Sequence, residues 1–168
     1  AEVGVWNGKL SKDLLTVFPK LTLHMVDIWD SWQPKDPRYP ADIDIMCRSS
    51  KSKITESFNK AKEVASGFGN RAIINQGDSV RIADGYPDEY FDFVFIDAEH
   101  SEAALASDID AWYPKVKPGG LLCGHDYGHK HFPGVADAVN KFAGRTGLKL
   151  EAKKDKCWFI RKRDERDA

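Results

Sequence analysis

The sequence predicts an α/β fold, a mostly parallel sheet flanked by helices and ending in an antiparallel hairpin. Three observations carry this. Apolar runs of strand length alternate with segments whose apolar residues recur at helical spacing, the pattern of βαβ units around a parallel sheet. The last two strand-like segments, Leu148 to Ala152 and Cys157 to Arg161, are joined only by Lys153 to Lys156. A parallel crossover needs roughly a dozen residues or more, so this pair is antiparallel. Finally, 168 residues with 42% hydrophobic and 30% charged content are enough for one domain with a real core.

The elements follow in order. Ala1 to Val5 reads as the end of a first strand. Leu10, Leu14, Leu15 and Phe18 have helical spacing, with Ser11 as N-cap and Pro19 as stop. Leu21 to Val26 is a strand. Ile54, Phe58, Ala61 and Ala65 mark a second helix ending near Gly67, and Arg71 to Asn75 a short strand. Phe91 to Ile96 is the strongest buried-strand signal. Ser101 caps a third helix, with Glu102 in its first turn and Leu105, Ile109 and Trp112 as its apolar stripe. Lys117-Pro118-Gly119-Gly120 reads as a turn before a strand at Leu121 to Gly124. Val135, Val139 and Phe142 mark a fourth helix, ended by Gly144. The expected domain is 1–162, with 163–168 as a charged tail. Asp30 to Ser49 is an insertion rich in proline and aromatic residues (Trp32, Pro34, Pro37, Tyr39, Pro40). It reads either as a surface loop or as a substrate lid.

Several function classes are excluded. A net charge of -1 supplies no general basic field, so no nucleic-acid partner is expected. No apolar run is long enough to span a membrane, and no signal peptide is visible. Three widely spaced cysteines without a CxxC pair fit a reduced, cytoplasmic protein. Cys123 sits in an apolar run and reads as core.

The residues with chemical potential gather at predicted strand ends. Glu2-x-Gly4-x-x-x-Gly8 lies between the first strand and the first helix, where glycines let the backbone approach a ligand. It is not the GxGxxG of dinucleotide sites. Asp27 ends the second strand, where a carboxylate can accept from a ribose diol or simply cap the strand. Gly77-Asp78-Ser79 follows the third strand; it reads as an adenine contact or as a helix cap. Asp97 and His100 follow the strand Phe91 to Ile96, and His125-Asp126 follow the next one. Carboxylates on one rim of neighbouring strands suit a hard cation such as Mg²⁺, or else cap the strands within a buried hydrogen-bond network. His125, His129 and His131 offer a Zn²⁺-like histidine set on a glycine-containing loop. Trp29, Trp32 and Tyr39 suggest an aromatic-lined acceptor site.

The whole pattern resembles the class I S-adenosylmethionine-dependent methyltransferases. More narrowly, it resembles the small-molecule group filed with macrocin O-methyltransferases and cephalosporin hydroxylase-like proteins. The matching stretches are AEVGVWNGKLSKDLL, LHMVDIWD, GDSVRIA, FDFVFIDAEHSEAALASDIDAWYPKVKPGGLLCGHDY and FPGVADAV, collinear over nearly the whole chain. The resemblance implies a Rossmann-like, doubly wound sheet with S-adenosylmethionine across its carboxyl ends. Glu2, Gly4 and Gly8 would line the methionine and ribose part. Asp27 would bind the ribose hydroxyls, Ile28 would pack on adenine, and Asp78 and Ser79 would contact adenine. Asp97 would lie near the sulfonium and, as in metal-dependent relatives, hold Mg²⁺ with Asp126. Relatives often carry an acidic residue where His125 stands, which makes His125 the weakest of the three metal candidates. His100 matches the group's histidine and is the expected general base.

The activity implied is methyl transfer to a small-molecule acceptor, with a hydroxyl oxygen the expected nucleophile. Relatives usually carry a segment before the first strand that covers the site, and this chain is expected to lack that cover. Three other readings stay open: a non-catalytic or truncated domain binding an adenosyl cofactor, a nicotinamide-dependent oxidoreductase, and a metal-dependent hydrolase supported only by the histidine cluster. The absent GxGxxG and the terminal hairpin count against the oxidoreductase. A homo-oligomer is compatible with every reading.

Overall fold

The computed structural model describes residues 1–31 and 44–164. By internal contacts the chain divides into two compact units, Glu2–Asp78 and Ala1 with Ser79–Ala168.

The first unit holds β1 (Glu2–Val3), α1 (Lys9–Val17), β2 (Leu23–Asp27), α2 (Ile45–Arg48), α3 (Lys51–Phe68) and β3 (Ala72–Gln76). Its strands are parallel, with β2 between β3 and β1. Every residue of β2 is buried, as expected of a strand covered on both faces. Helix α1 begins one turn earlier than the Ser11 cap predicts. Gly8 is its N-cap, at φ 77°, and Ser11 lies inside the helix. Ser11 is fully buried, and its hydroxyl donates to the Glu2 carboxylate at 2.5 Å instead of capping. Ser50 caps α3 by accepting from the Lys53 N–H, and the helix ends at Phe68, near Gly67 as expected, with Gly69 as its C-cap. Arg71 fastens this end: its guanidinium donates to the carbonyls of Leu15, Phe18 and Leu21. Most of the Asp30 to Ser49 insertion, with Trp32, Pro34, Pro37, Tyr39 and Pro40, lies outside the described residues. Its described end forms α2.

The second unit holds α4 (Ser79–Asp84), β4 (Phe91–Ile96), α5 (Glu102–Trp112), β5 (Val116–Gly124), α6 (Pro133–Thr146), β6 (Leu150–Ala152) and β7 (Trp158–Arg161). The strand order is β4-β5-β7-β6. Strands β4 and β5 are parallel, whereas β7 is antiparallel to both β5 and β6. The hairpin expectation from the short Lys153 to Lys156 link is therefore met. The Lys117 to Gly120 segment departs from its predicted turn. It belongs to β5, with a register shift opposite Phe91 to Phe93. A Cβ on Gly120 would stand 2.8 Å from the Asp92 carbonyl oxygen and from Val116, so glycine here serves close strand approach. Ser101 caps α5 as predicted, accepting from the Ala104 N–H. Helix α6 runs past Gly144 and ends at Gly147, at φ 64°. Val94, Trp112, Leu122, Trp158 and Ile160 form the fully buried centre of this unit. Among the described residues no helix is long and apolar enough to cross a membrane.

Candidate functional site

In the first unit the predicted residues collect where β1 and β2 end. Glu2 is almost fully buried and holds Ser11. Gly4 sits at φ 90° and donates its N–H to the Val26 carbonyl at 2.8 Å. Gly8 combines a left-handed φ with a tight contact, since a Cβ there would meet the Ala61 Cα at 3.2 Å. Its glycine is thus required by helix capping and α1–α3 packing.

Asp27 is the organiser of this region. Its Oδ2 accepts from the Trp6 N–H and its Oδ1 from the Trp29 N–H, both at 2.8 Å. Trp6 and Trp29 both have positive φ, 54° and 40°, a conformation that bulky residues adopt only when held. The Trp29 indole N–H closes the loop pair by donating to the Trp6 carbonyl at 2.7 Å. Burial pushes the Asp27 carboxyl above the ordinary carboxylate range, and the Trp29 and Trp6 N–H groups pull it partly back. The Val5 and Ile28 backbone N–H groups act in the same direction, and the carboxylate is an acceptor of the kind to which a ribose diol donates. Beside it Ile28 exposes 37% of its surface, as an adenine-packing residue needs. Trp29 itself is buried and stacked on Phe58 at 4.6 Å, so it is packing and not the wall of an acceptor site. The other two residues of that aromatic expectation, Trp32 and Tyr39, lie outside the described residues.

Asp78 is exposed just after β3. Ser79 opens α4 and accepts from the Trp112 indole N–H at 2.8 Å.

In the second unit the ends of β4 and β5 bring together Asp97, His100 and Asp126. The His100 Nε2 stands 3.1 Å from Asp126 Oδ2 and 3.5 Å from Asp97 Oδ1. One ligand atom from each of the three lies within 4.8 Å of the others. Burial pushes the Asp126 carboxyl up, but hydrogen bonding and charge from His100, with His125 beside it, outweigh this and leave it below the ordinary range. Asp126 also has positive φ, 60°, one more held conformation at a strand end. His125 approaches Asp126 at 3.4 Å through Nδ1, but its Nε2 sits 3.0 Å from the Asp155 carbonyl, away from the three-residue cluster. The histidines do not assemble the Zn²⁺-like set. The His129 and His131 rings lie tilted at 49° with centroids 5.6 Å apart, and the group that could hold a metal among the described residues is Asp97, His100 and Asp126.

Sequence reasoning missed three participants. Trp6 and Trp29 act through backbone N–H groups, which carry no sequence signal. Phe132 stacks on the His100 imidazole at 4.2 Å and 18°, and the signal that could have found it is the FPG stretch at the start of α6. Cys123 is inert, as its apolar surroundings imply. Burial pushes its thiol up to about 12.

The first unit carries an Asp27-held loop pair after β1 and β2, and the second carries an Asp97–His100–Asp126 cluster after β4 and β5; the fold is the Rossmann-like one of class I methyltransferases. The chain belongs to the family described as "Methyltransferase domain", whose model matches residues 1–127. It is an S-adenosylmethionine-dependent enzyme of class I. Solved structures share the fold. The O-methyltransferase NovP is 17% identical at TM-score 0.68, with 96% of this chain and 70% of that one covered. The calicheamicin methyltransferase CalS11 is 13% identical at TM-score 0.71, covering 95% and 70%. MycE of the mycinamycin biosynthetic pathway, solved with Mg and SAH, is 19% identical at TM-score 0.60, covering 97% of this chain and 44% of that one. No curated protein matches the sequence.

Proposed function

We propose that this enzyme transfers the methyl group of S-adenosylmethionine to a hydroxyl oxygen of a small-molecule acceptor, with His100 as general base. The observation that carries the reading is the His100 Nε2 standing between two carboxylates, 3.1 Å from Asp126 and 3.5 Å from Asp97. A flanking carboxylate raises the affinity of an imidazole for a proton, which is the property a base needs at neutral pH. The calicheamicin methyltransferase CalS11 and MycE of the mycinamycin biosynthetic pathway support an acceptor of that class, and the O-methyltransferase NovP supports an oxygen as the methylated atom. The functional domain is 1–162, with 163–168 as a tail.

Glu2, Gly4 and Gly8 shape the methionine and ribose end of the cofactor site. Asp27 accepts the ribose hydroxyls, Ile28 packs on adenine, and Asp78 and Ser79 contact the adenine edge. The cofactor supplies a methyl group already activated on a sulfonium, so the chain's own residues need only align the acceptor and remove its proton. His100 takes that proton at Nε2. Asp97 and Asp126 hold the imidazole in place and stabilise its charged form. The same two carboxylates, grouped with His100, fit a divalent cation such as Mg²⁺; His125, with Nδ1 at 3.4 Å from Asp126, is a further, outlying candidate. Such an ion would lower the pKa of the acceptor hydroxyl.

The test is calorimetric titration of S-adenosylmethionine and S-adenosylhomocysteine into the intact protein and into Asp27→Ala, followed by a screen of hydroxyl-bearing small molecules for release of S-adenosylhomocysteine, with and without Mg²⁺. Binding in roughly the micromolar range that the variant loses supports the cofactor assignment. Turnover with amines or thiols but with no hydroxyl compound would overturn the acceptor assignment.

A further inference from the structure

His100 is the residue on which the proposed chemistry turns, yet it lies beyond the end of β4, before α5 begins. A side chain on such a connection needs something else to fix its ring plane. Two contacts from one short segment do this. The Phe132 ring lies nearly parallel to the imidazole, 4.2 Å away at 18°. Two residues on, Gly134 abuts the backbone of the same connection. A Cβ at Gly134 would stand 3.0 Å from the His100 carbonyl oxygen, 3.1 Å from the Ser101 carbonyl carbon and 2.5 Å from the Glu102 nitrogen. Pro133, between them, opens α6. The segment thus grips His100 by its ring and by its main chain.

Phe132 is 9% exposed, and a second imidazole, His129, also stacks on it, at 4.9 Å and 24°. The phenyl ring is therefore in stacking contact with two imidazoles. An aromatic face stacked on a ring removes freedom about its side-chain torsions, which is how a supporting shell fixes a reactive group.

We propose that Phe132-Pro133-Gly134 is a positioning device for His100, with Phe132 setting the plane in which Nε2 meets Asp97 and Asp126. Phe132 is a positioning residue and touches no reacting atom itself. The catalytic part of this inference rests on His100 being the base; the positioning part does not.

The experiment uses the full chain, with the five histidines resolved by NMR and His100 assigned by its loss in His100→Gln. In the wild type the His100 ring protons are expected upfield of an unstacked imidazole, because they lie over the Phe132 face. Phe132→Leu should move them downfield, and Phe132→Tyr should restore them. With an acceptor from the hydroxyl screen, Phe132→Leu should lower kcat by about 10²-fold at unchanged KM for S-adenosylmethionine, with recovery in Phe132→Tyr. Unshifted His100 protons in the wild type overturn the proposal without any variant. So does a folded Phe132→Leu whose His100 protons or kcat stay as in the wild type. If His100→Gln retains full kcat, the base assignment fails, and the ring-proton shifts still decide whether Phe132 orients the imidazole.

Discussion

The two units treat their acidic residues in opposite ways. In Glu2–Asp78 the two buried site carboxylates are bound by the protein's own donors: Asp27 takes the Trp6 and Trp29 N–H groups, and Glu2 takes the Ser11 hydroxyl. In the unit of Ser79–Ala168, Asp97 and Asp126 instead face an imidazole, a group that exchanges protons near neutral pH. The first arrangement gives fixed geometry, as recognition of a rigid cofactor requires. The second is the arrangement that the proposed proton transfer uses. A carboxylate at a strand end can serve either purpose, and its partners decide which.

This contrast breaks most sharply at His100. His100→Gln keeps size and polarity but removes the proton acceptor. Its kcat should fall by roughly 10²- to 10⁴-fold while cofactor affinity holds, and its stability should change by less than about 1 kcal/mol. Steady-state kinetics beside a thermal melt would check this. A large loss of stability with little loss of rate would place His100 with the structural residues of the other unit.

Asp27→Asn should show the reverse pattern. The amide offers one acceptor where the carboxylate offers two, so the Trp6 or the Trp29 N–H is left unpaired in a buried site. The expected cost is about 1–3 kcal/mol of stability, together with weakened S-adenosylmethionine binding. Chemical denaturation and calorimetric titration measure the two losses separately. Wild-type stability would show that Asp27 does not hold these loops.

Gly8→Ala sharpens the same point for the backbone. At φ 77°, with the Ala61 Cα at 3.2 Å from the added methyl, the substitution is strained and crowded. A loss of about 1–2 kcal/mol is expected, measured by urea denaturation.

Much of this contrast was legible in the sequence, and the remainder was hidden for definite reasons. Phe91 to Ile96 was plain because its apolar run is longer than chance supplies, and Ser101 because a cap is local chemistry. Glu2, Asp27, Asp97, His100 and Asp126 could be picked out because strand ends in α/β sheets are where ligand groups stand. Ser11 misled because its hydroxyl is used by Glu2, nine positions away and across a loop. Lys117 to Gly120 misled because turn-forming residues were overridden by strand pairing, where Gly120 lets the backbones come close. The positive φ angles of Trp6 and Trp29 leave no mark on composition. For Phe132 the FPG stretch marked the place before α6, but stacking on His100 is a property of the folded chain alone.

The smallest effect concerns His24, the second residue of β2. Its ring is buried at 8% exposure, and burial holds its pKa below the ordinary histidine value. The folded protein therefore binds this proton less readily than the unfolded chain does. The resulting stability is fully present above about pH 6.5 and is lost as the pH falls through that value, because the unfolded state then gains a proton that the fold resists. Thermal melts of the wild type and His24→Leu between about pH 7.5 and about pH 5.5 should show a steeper decline for the wild type, by less than about 1 kcal/mol over the range. Parallel slopes would mean that His24 protonates in place. Its neighbourhood in β2 would then accommodate a charge that the neighbouring Asp27 site, closed by its own N–H donors, does not need.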